Sequence, residues 1–210
     1  MQLKIHIKED VFNGAPLLAN ETREILSYES AICKIKFEIL QNDEKKEKIG
    51  TGFFCNYKNI PFNKALFTNN HILNEDRIKI NKKIEFEYYE KTKIIEITQN
   101  RKVFTNIEFD YTYIEILDED KINKFFNIDK TIFNDKNSLV NKELLILQYP
   151  QGNLGFVHGK IMNIKENTIK SRVNTIDGSS GSPLIKRYNI NLVIGIHFDA
   201  KKIKESDKCN

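Results

Sequence analysis

The sequence predicts an all-β protein built from two antiparallel β units packed against each other. Three observations predict this. Short segments with period-two alternation of apolar and polar residues recur along most of the chain. The long helical repeats that would connect parallel strands are missing. A charged, Asn- and Asp-rich stretch divides two strand-rich regions. With 210 residues, a hydrophobic fraction of 40%, 14 Phe and 8 Tyr, the chain carries enough apolar and aromatic surface to offset the entropy of ordering it.

The elements follow in order. Residues 1–30 form a polar N-terminal segment. A first β unit spans residues 31–117, with strands expected at 31–40, 51–56, 65–69, 79–89, 93–99 and 110–117, separated by turns and charged loops. Residues 118–140 read as a linker, with a short helix expected around residues 122–126. The second unit, residues 141–200, carries strands at 144–149, 155–164, 168–174, 183–186 and 192–198, and residues 201–210 form a charged tail. The sequence has no recognisable internal repeat.

Charge and cysteine usage narrow the function classes. The formal charge of +4 is small beside 33 basic and 29 acidic side chains, and the two signs alternate. Basic runs are short, at residues 45–48 and 201–204, so a nucleic-acid partner is not expected. The first ten residues lack the apolar run of a secretory signal, and no stretch has the length of a membrane span. The three cysteines, Cys33, Cys55 and Cys209, are odd in number and scattered, which fits a reducing, cytoplasmic compartment better than a disulfide framework. Neither they nor the four histidines have metal-ligand spacing, so no metal or other cofactor is expected and a metal-dependent hydrolase is set aside.

The residues that carry chemistry begin with Gly178-Ser179-Ser180-Gly181-Ser182-Pro183, between two β segments. Small neighbours let a tight turn present Ser180 to a substrate, and the successive amides of Gly178 and Ser180 can hold a developing oxyanion. The same hexapeptide reads equally well as a glycine- and serine-rich surface turn. A serine nucleophile needs a base that works near neutral pH, which directs attention to histidine. His71 follows Ala65-Leu66-Phe67-Thr68-Asn69-Asn70, where an apolar strand gives way to polar residues, so its ring can face a cleft. Standing alone it would read as a core histidine bonded to a carbonyl. The base in turn needs an orienting carboxylate. Asp110 opens an apolar strand and suits that role, with Glu108, Asp118 and Asp120 as rivals nearby.

Taken together, Gly50-Thr51-Gly52-Phe53-Phe54, Thr68-Asn69-Asn70-His71, Phe109-Asp110-Tyr111-Thr112 and the Ser180 hexapeptide resemble the chymotrypsin/trypsin-like serine proteases in order and spacing. The likeness is to bacterial glutamyl endopeptidases and intracellular trypsin-like peptidase domains rather than to digestive trypsins. It implies two packed antiparallel six-stranded β-barrels of the chymotrypsin type, the second incomplete at its C-terminal end. It also implies a serine endopeptidase with His71, Asp110 and Ser180 as triad, the amides of Gly178 and Ser180 as oxyanion hole, and a polypeptide substrate. The zymogen members of that family place an Asp before the nucleophile, where this chain has Ser179, so no activating cleavage is expected. The alternative is a protease-shaped module that binds peptides without cutting them.

The same resemblance assigns a substrate pocket to Thr175 and His197, which match positions that hold an acidic side chain in glutamyl endopeptidases. Asp177 at the rim would oppose such a group, and His197 could equally serve as packing. Substrate backbone would pair with the strand containing Ile194 to His197. Gln148-Tyr149-Pro150-Gln151-Gly152 falls where the family turns a loop beside the cleft, and reads as well as an ordinary Pro-Gly turn.

Overall fold

The computed structural model describes residues 17–56, 63–89 and 91–198. The N-terminal residues 1–16 and the charged tail, with Cys209 and the basic run at 201–204, lie outside the described residues. Nearly every regular element is a strand. The first unit holds β1 (Ile32–Gln41), β2 (Glu44–Asn56), β3 (Lys64–Thr68), β4 (Lys83–Tyr88), β5 (Lys91–Glu96), β6 (Val103–Asn106) and β7 (Tyr111–Glu115). The second holds β9 (Glu143–Gln148), β10 (Gly155–Lys165), β11 (Thr168–Arg172), β12 (Pro183–Lys186) and β13 (Asn189–Ile196), and the short strand β8 (Phe126–Ile128) lies between the two. One helix, α1 (Ala19–Leu26), precedes β1, and a single turn of helix, α2 (Thr131–Asn134), follows β8. Among the described residues no helix is long and apolar enough to cross a membrane.

All pairings within each unit are antiparallel. The order is β5-β4-β1-β2-β3-β7-β6 in the first and β11-β10-β9-β12-β13 in the second. Neither ladder closes on itself among the described residues. β1 and β2 form a long hairpin around Asn42 and Asp43, whose φ angles of 54° and 62° suit a two-residue turn matched to strand twist.

Several segments differ from the sequence reading: β2 begins at Glu44 rather than at residue 51, β4 at Lys83 rather than at residue 79, and a helix, α1, lies in the N-terminal segment. β6 was not anticipated, because Val103-Phe104-Thr105-Asn106 is short and lacks clean alternation. Residues 122–126, expected as a helix, are not one: a 3-10 turn occupies Asp118–Asp120 and the chain runs extended into β8. Ile122, Phe125 and Phe126 have helical spacing, but Ile122 and Phe125 enter the first core while Phe126 turns to the opposite side. Burial of adjacent residues in different cores requires extended backbone. β8 pairs in parallel with both β2 and β13, which makes the linker a structural bridge.

Three apolar clusters result. One fills the first unit, with Ile35, Phe54, Leu66, Phe86 and Ile114, and a second fills the other, with Leu144, Ile146, Ile161, Leu184 and Ile194. The third is the seam between them, built from Ile32, Phe53, Cys55, Phe126, Leu145, Leu147, Ile185 and Val193. Neighbouring residues of one strand, such as Phe53 and Phe54 or Leu144 and Leu145, supply different clusters. Around the seam, Arg187 is 4% exposed and ties α1 to β9 by ion pairs to Glu21 (3.0 Å) and Glu143 (2.7 Å). Phe126 is fully buried, with the Tyr28 ring stacked 5.0 Å away. Phe126→Ala should therefore cost about 3–5 kcal/mol, the range for truncating a buried aromatic, read as a lower urea midpoint at unchanged slope.

Candidate active site

The His71 side chain is set by the end of β3. After Thr68 the chain makes a helical turn in which the amides of Ile72 and Leu73 donate to the Asn69 carbonyl (3.2 and 3.1 Å). That turn carries His71 out to a 44% exposed position. Asp110 stands immediately before β7 with φ +48°, a left-handed conformation that suits Asp better than most residues. Its carboxylate accepts twice from one residue: Oδ2 lies 2.8 Å from His71 Nδ1, and Oδ1 accepts the His71 amide at 3.0 Å. Asn69 Nδ2 donates to the Asp110 carbonyl at 2.8 Å and fixes the turn from behind. A carboxylate only accepts, so Nδ1 is the donor and Nε2 is left as the basic atom.

Two of the three rival acids are engaged elsewhere, Asp118 with Lys64 at 2.9 Å and Asp120 with the buried Arg101 at 2.7 Å. Asp110 is 25% exposed, less enclosed than an apolar strand start suggests, because the strand begins one residue later.

The serine turn needs its glycines. Gly178 and Gly181 have φ of +97° and +85°, and a Cβ on either would sit 2.3 Å from the Tyr149 carbonyl oxygen and 1.9 Å from that of Thr51, respectively. Ser179 is committed to its own loop, its hydroxyl donating to the Ile176 carbonyl at 2.6 Å. Ser180 is 5% exposed. The Asp177 carbonyl accepts from the Gln151 amide at 2.8 Å and the Ser179 carbonyl from the Ser182 amide at 3.2 Å. Across a trans peptide the N–H points away from its carbonyl, so the amides of Gly178 and Ser180 are turned away from those acceptors.

Several hydrogen bonds seat this turn against the strand ends that carry His71. The Thr51 amide donates to the Ser180 carbonyl at 2.8 Å, and the Thr68 hydroxyl, three residues before His71, donates to the Thr51 carbonyl at 2.8 Å. His197 is fully buried on the other side, exchanging backbone bonds of 2.8 Å with Gly181 and Ser182. Burial first, and then the charge His71 can carry, push the His197 imidazole down to about 4. Thr175 is half-buried, with an Oγ1 that has no hydrogen-bond partner among the described residues. Asp177 is exposed, 3.8 Å from Lys48.

Thr51, Thr68 and Asn69 lie within the sequence motifs, which assign them no role. Their signal is their place beside glycines and beside His71; contact across the seam reveals the role of Thr51, and contacts between distant segments of the first unit reveal those of Thr68 and Asn69. Cys33 and Cys55 are free and buried, and burial pushes both thiols well above the usual thiol range, which disfavours the reactive thiolate in each.

Comparisons with known proteins bear on the fold and the family. In structure the chain is similar to the Rv3671c protease of M. tuberculosis in its active form, at TM-score 0.59 and 17% identity over 93% of this chain and 82% of that one. The inactive form gives TM-score 0.58 and 16% identity over 89% and 87%. Deg5 gives TM-score 0.59 and 16% identity over 87% of each chain. These likenesses show the fold. The sequence comparison with curated proteins found no match. The model of the trypsin-like peptidase domain matches residues 50–196, from the glycine before Thr51 to the residue before His197 and over more than half of the chain, and the chain belongs to that family.

Proposed function

We propose that the chain is a serine endopeptidase. Ser180 Oγ attacks the scissile carbonyl while His71 Nε2 takes its proton, and the oxyanion that forms is held by the amides of Gly178 and Ser180. Collapse breaks the C–N bond, the proton passes from His71 to the leaving amine, and water then cleaves the acyl-enzyme by the same steps in reverse roles. Asp110 keeps the imidazole in the tautomer that leaves Nε2 basic. The observation that carries this reading is the doubly bonded His71–Asp110 pair on a strand end that the Thr68 and Thr51 hydrogen bonds join to the glycine-framed turn of Ser180.

Polypeptide would bind as an added strand. β8 pairs with β13 only at Leu192 and Val193, so that ladder stops short of Ile194, Gly195 and Ile196, where an added strand could continue it. The substrate side chain would enter a pocket formed by Thr175 and His197. With its pKa near 4 the buried imidazole is neutral at neutral pH, so it would offer a hydrogen bond and no charge.

Reaction with a fluorophosphonate tests the nucleophile. Ser180 should carry the adduct in peptide mass spectra, Ser180→Ala should take none, and His71→Ala should slow labelling by at least about a thousandfold. A folded chain that takes no label at Ser180 would contradict the proposal and leave a peptide-binding module of the same fold. A second prediction follows from His197. Its folded pKa lies below the unfolded value, so the unfolded chain binds more protons and stability falls as pH drops through the unfolded value toward about 4. The contribution should be about 2 kcal/mol between about pH 7 and about pH 5. Urea melts of the unsubstituted chain and His197→Gln should differ in pH slope accordingly.

A further inference from the structure

We infer that Thr51 is a positioning residue whose hydroxyl holds the nucleophile turn in its reactive shape, an inference that rests on the proposed peptidase activity. Thr51 belongs to the first unit and is fully buried, yet most of its hydrogen bonds cross to the second. Its amide donates to the Ser180 carbonyl at 2.8 Å and its Oγ1 donates to the Gly178 carbonyl at 2.8 Å. The same Oγ1 accepts from the Tyr149 amide at 3.0 Å. A hydroxyl has one proton to give, so the direction is fixed: Tyr149 N–H to Thr51 Oγ1, and Thr51 O–H to Gly178 O.

Both residues whose amides would hold the oxyanion thus have their own carbonyls pinned by Thr51. The hydroxyl also fixes the loop from Tyr149 to Gly152, whose Gln151 amide holds the Asp177 carbonyl across the peptide bond from Gly178 N–H. That loop presses directly on the turn, since a Cβ on Gly178 would meet Tyr149 O at 2.3 Å and Gln151 N at 3.1 Å. With Ser179 in place of an acid before the nucleophile, this chain holds its turn by neutral hydrogen bonds from Thr51 and Gln151. Without the hydroxyl, Gly178 O and Tyr149 N–H lose their shared partner, and the Gly178–Ser179 peptide keeps only the bond from the Ser179 amide to the Ile176 carbonyl.

The test compares Thr51→Val, which keeps shape and loses the hydroxyl, with Thr51→Ser, which keeps it. Ile169→Ala serves as a destabilised control in the second core, away from the turn. Fluorophosphonate labelling rate and thermal midpoint are measured on each. Thr51→Val should label about 10- to 100-fold slower, the scale of a small misplacement of reacting groups. Thr51→Ser should restore most of the rate, and Ile169→Ala should label normally despite its lower midpoint. If Thr51→Val does not fold, Thr51→Cys, with only a weak sulfhydryl donor, takes its place. Labelling of the hydroxyl-free variant at the unsubstituted rate would overturn this inference alone. An unsubstituted chain that takes no label would overturn the peptidase reading and this inference with it.

Discussion

Residues 50–55 of β2 are buried on both faces, and that constraint organises the molecule. A strand with one wet face can end a small sheet. One with Phe54 in its own unit and Phe53 and Cys55 on the other side must find a second apolar surface. β9, with Leu144 and Ile146 inward and Leu145 and Leu147 outward, presents the same problem from the second unit. The seam satisfies both, and β8 seals it by pairing with β2 and β13 together. Because the hydrophobic term scales with area removed from water, the seam contributes to stability as a third core.

The position of the candidate site follows from that seam. His71 and Asp110 come from the first unit and the Ser180 turn from the second, and each group has local bonds within its own unit. Asp110 is locked by Asn69 and the His71 amide, and the serine turn by the positive φ angles of Gly178 and Gly181. What the seam adds is their relative placement, through Thr51, whose backbone and hydroxyl bond to Ser180 and Gly178. An active site assembled between two rigid units gains preorganisation, since neither half has to be ordered at the moment of reaction.

Much of this is legible in the sequence, for physical reasons. The strands stand out because half-buried backbone imposes period two, and His71, Asp110 and Ser180 stand out because their types suit the chemistry and their order and spacing resemble those of a known family. The parts that are not legible depend on contacts between distant segments. Residues 122–126 carry helical spacing, and only the existence of two separate cores makes them extended. Asp110 can be ranked above Asp118 and Asp120 only once Lys64 and Arg101 are seen to engage those rivals. Thr51 reads as one small residue between two glycines, and three of its four hydrogen bonds become visible only with the second unit in place.

The most direct test of the account is a crystal structure of the chain after reaction with a fluorophosphonate. The account predicts phosphorus bonded to Ser180 Oγ and one phosphoryl oxygen about 2.7–3.1 Å from the amides of both Gly178 and Ser180. His71 Nε2 should lie within hydrogen-bonding distance of the adduct, with the bond from Nδ1 to Asp110 retained. An adduct on another residue, or a phosphoryl oxygen turned away from both amides, would contradict it.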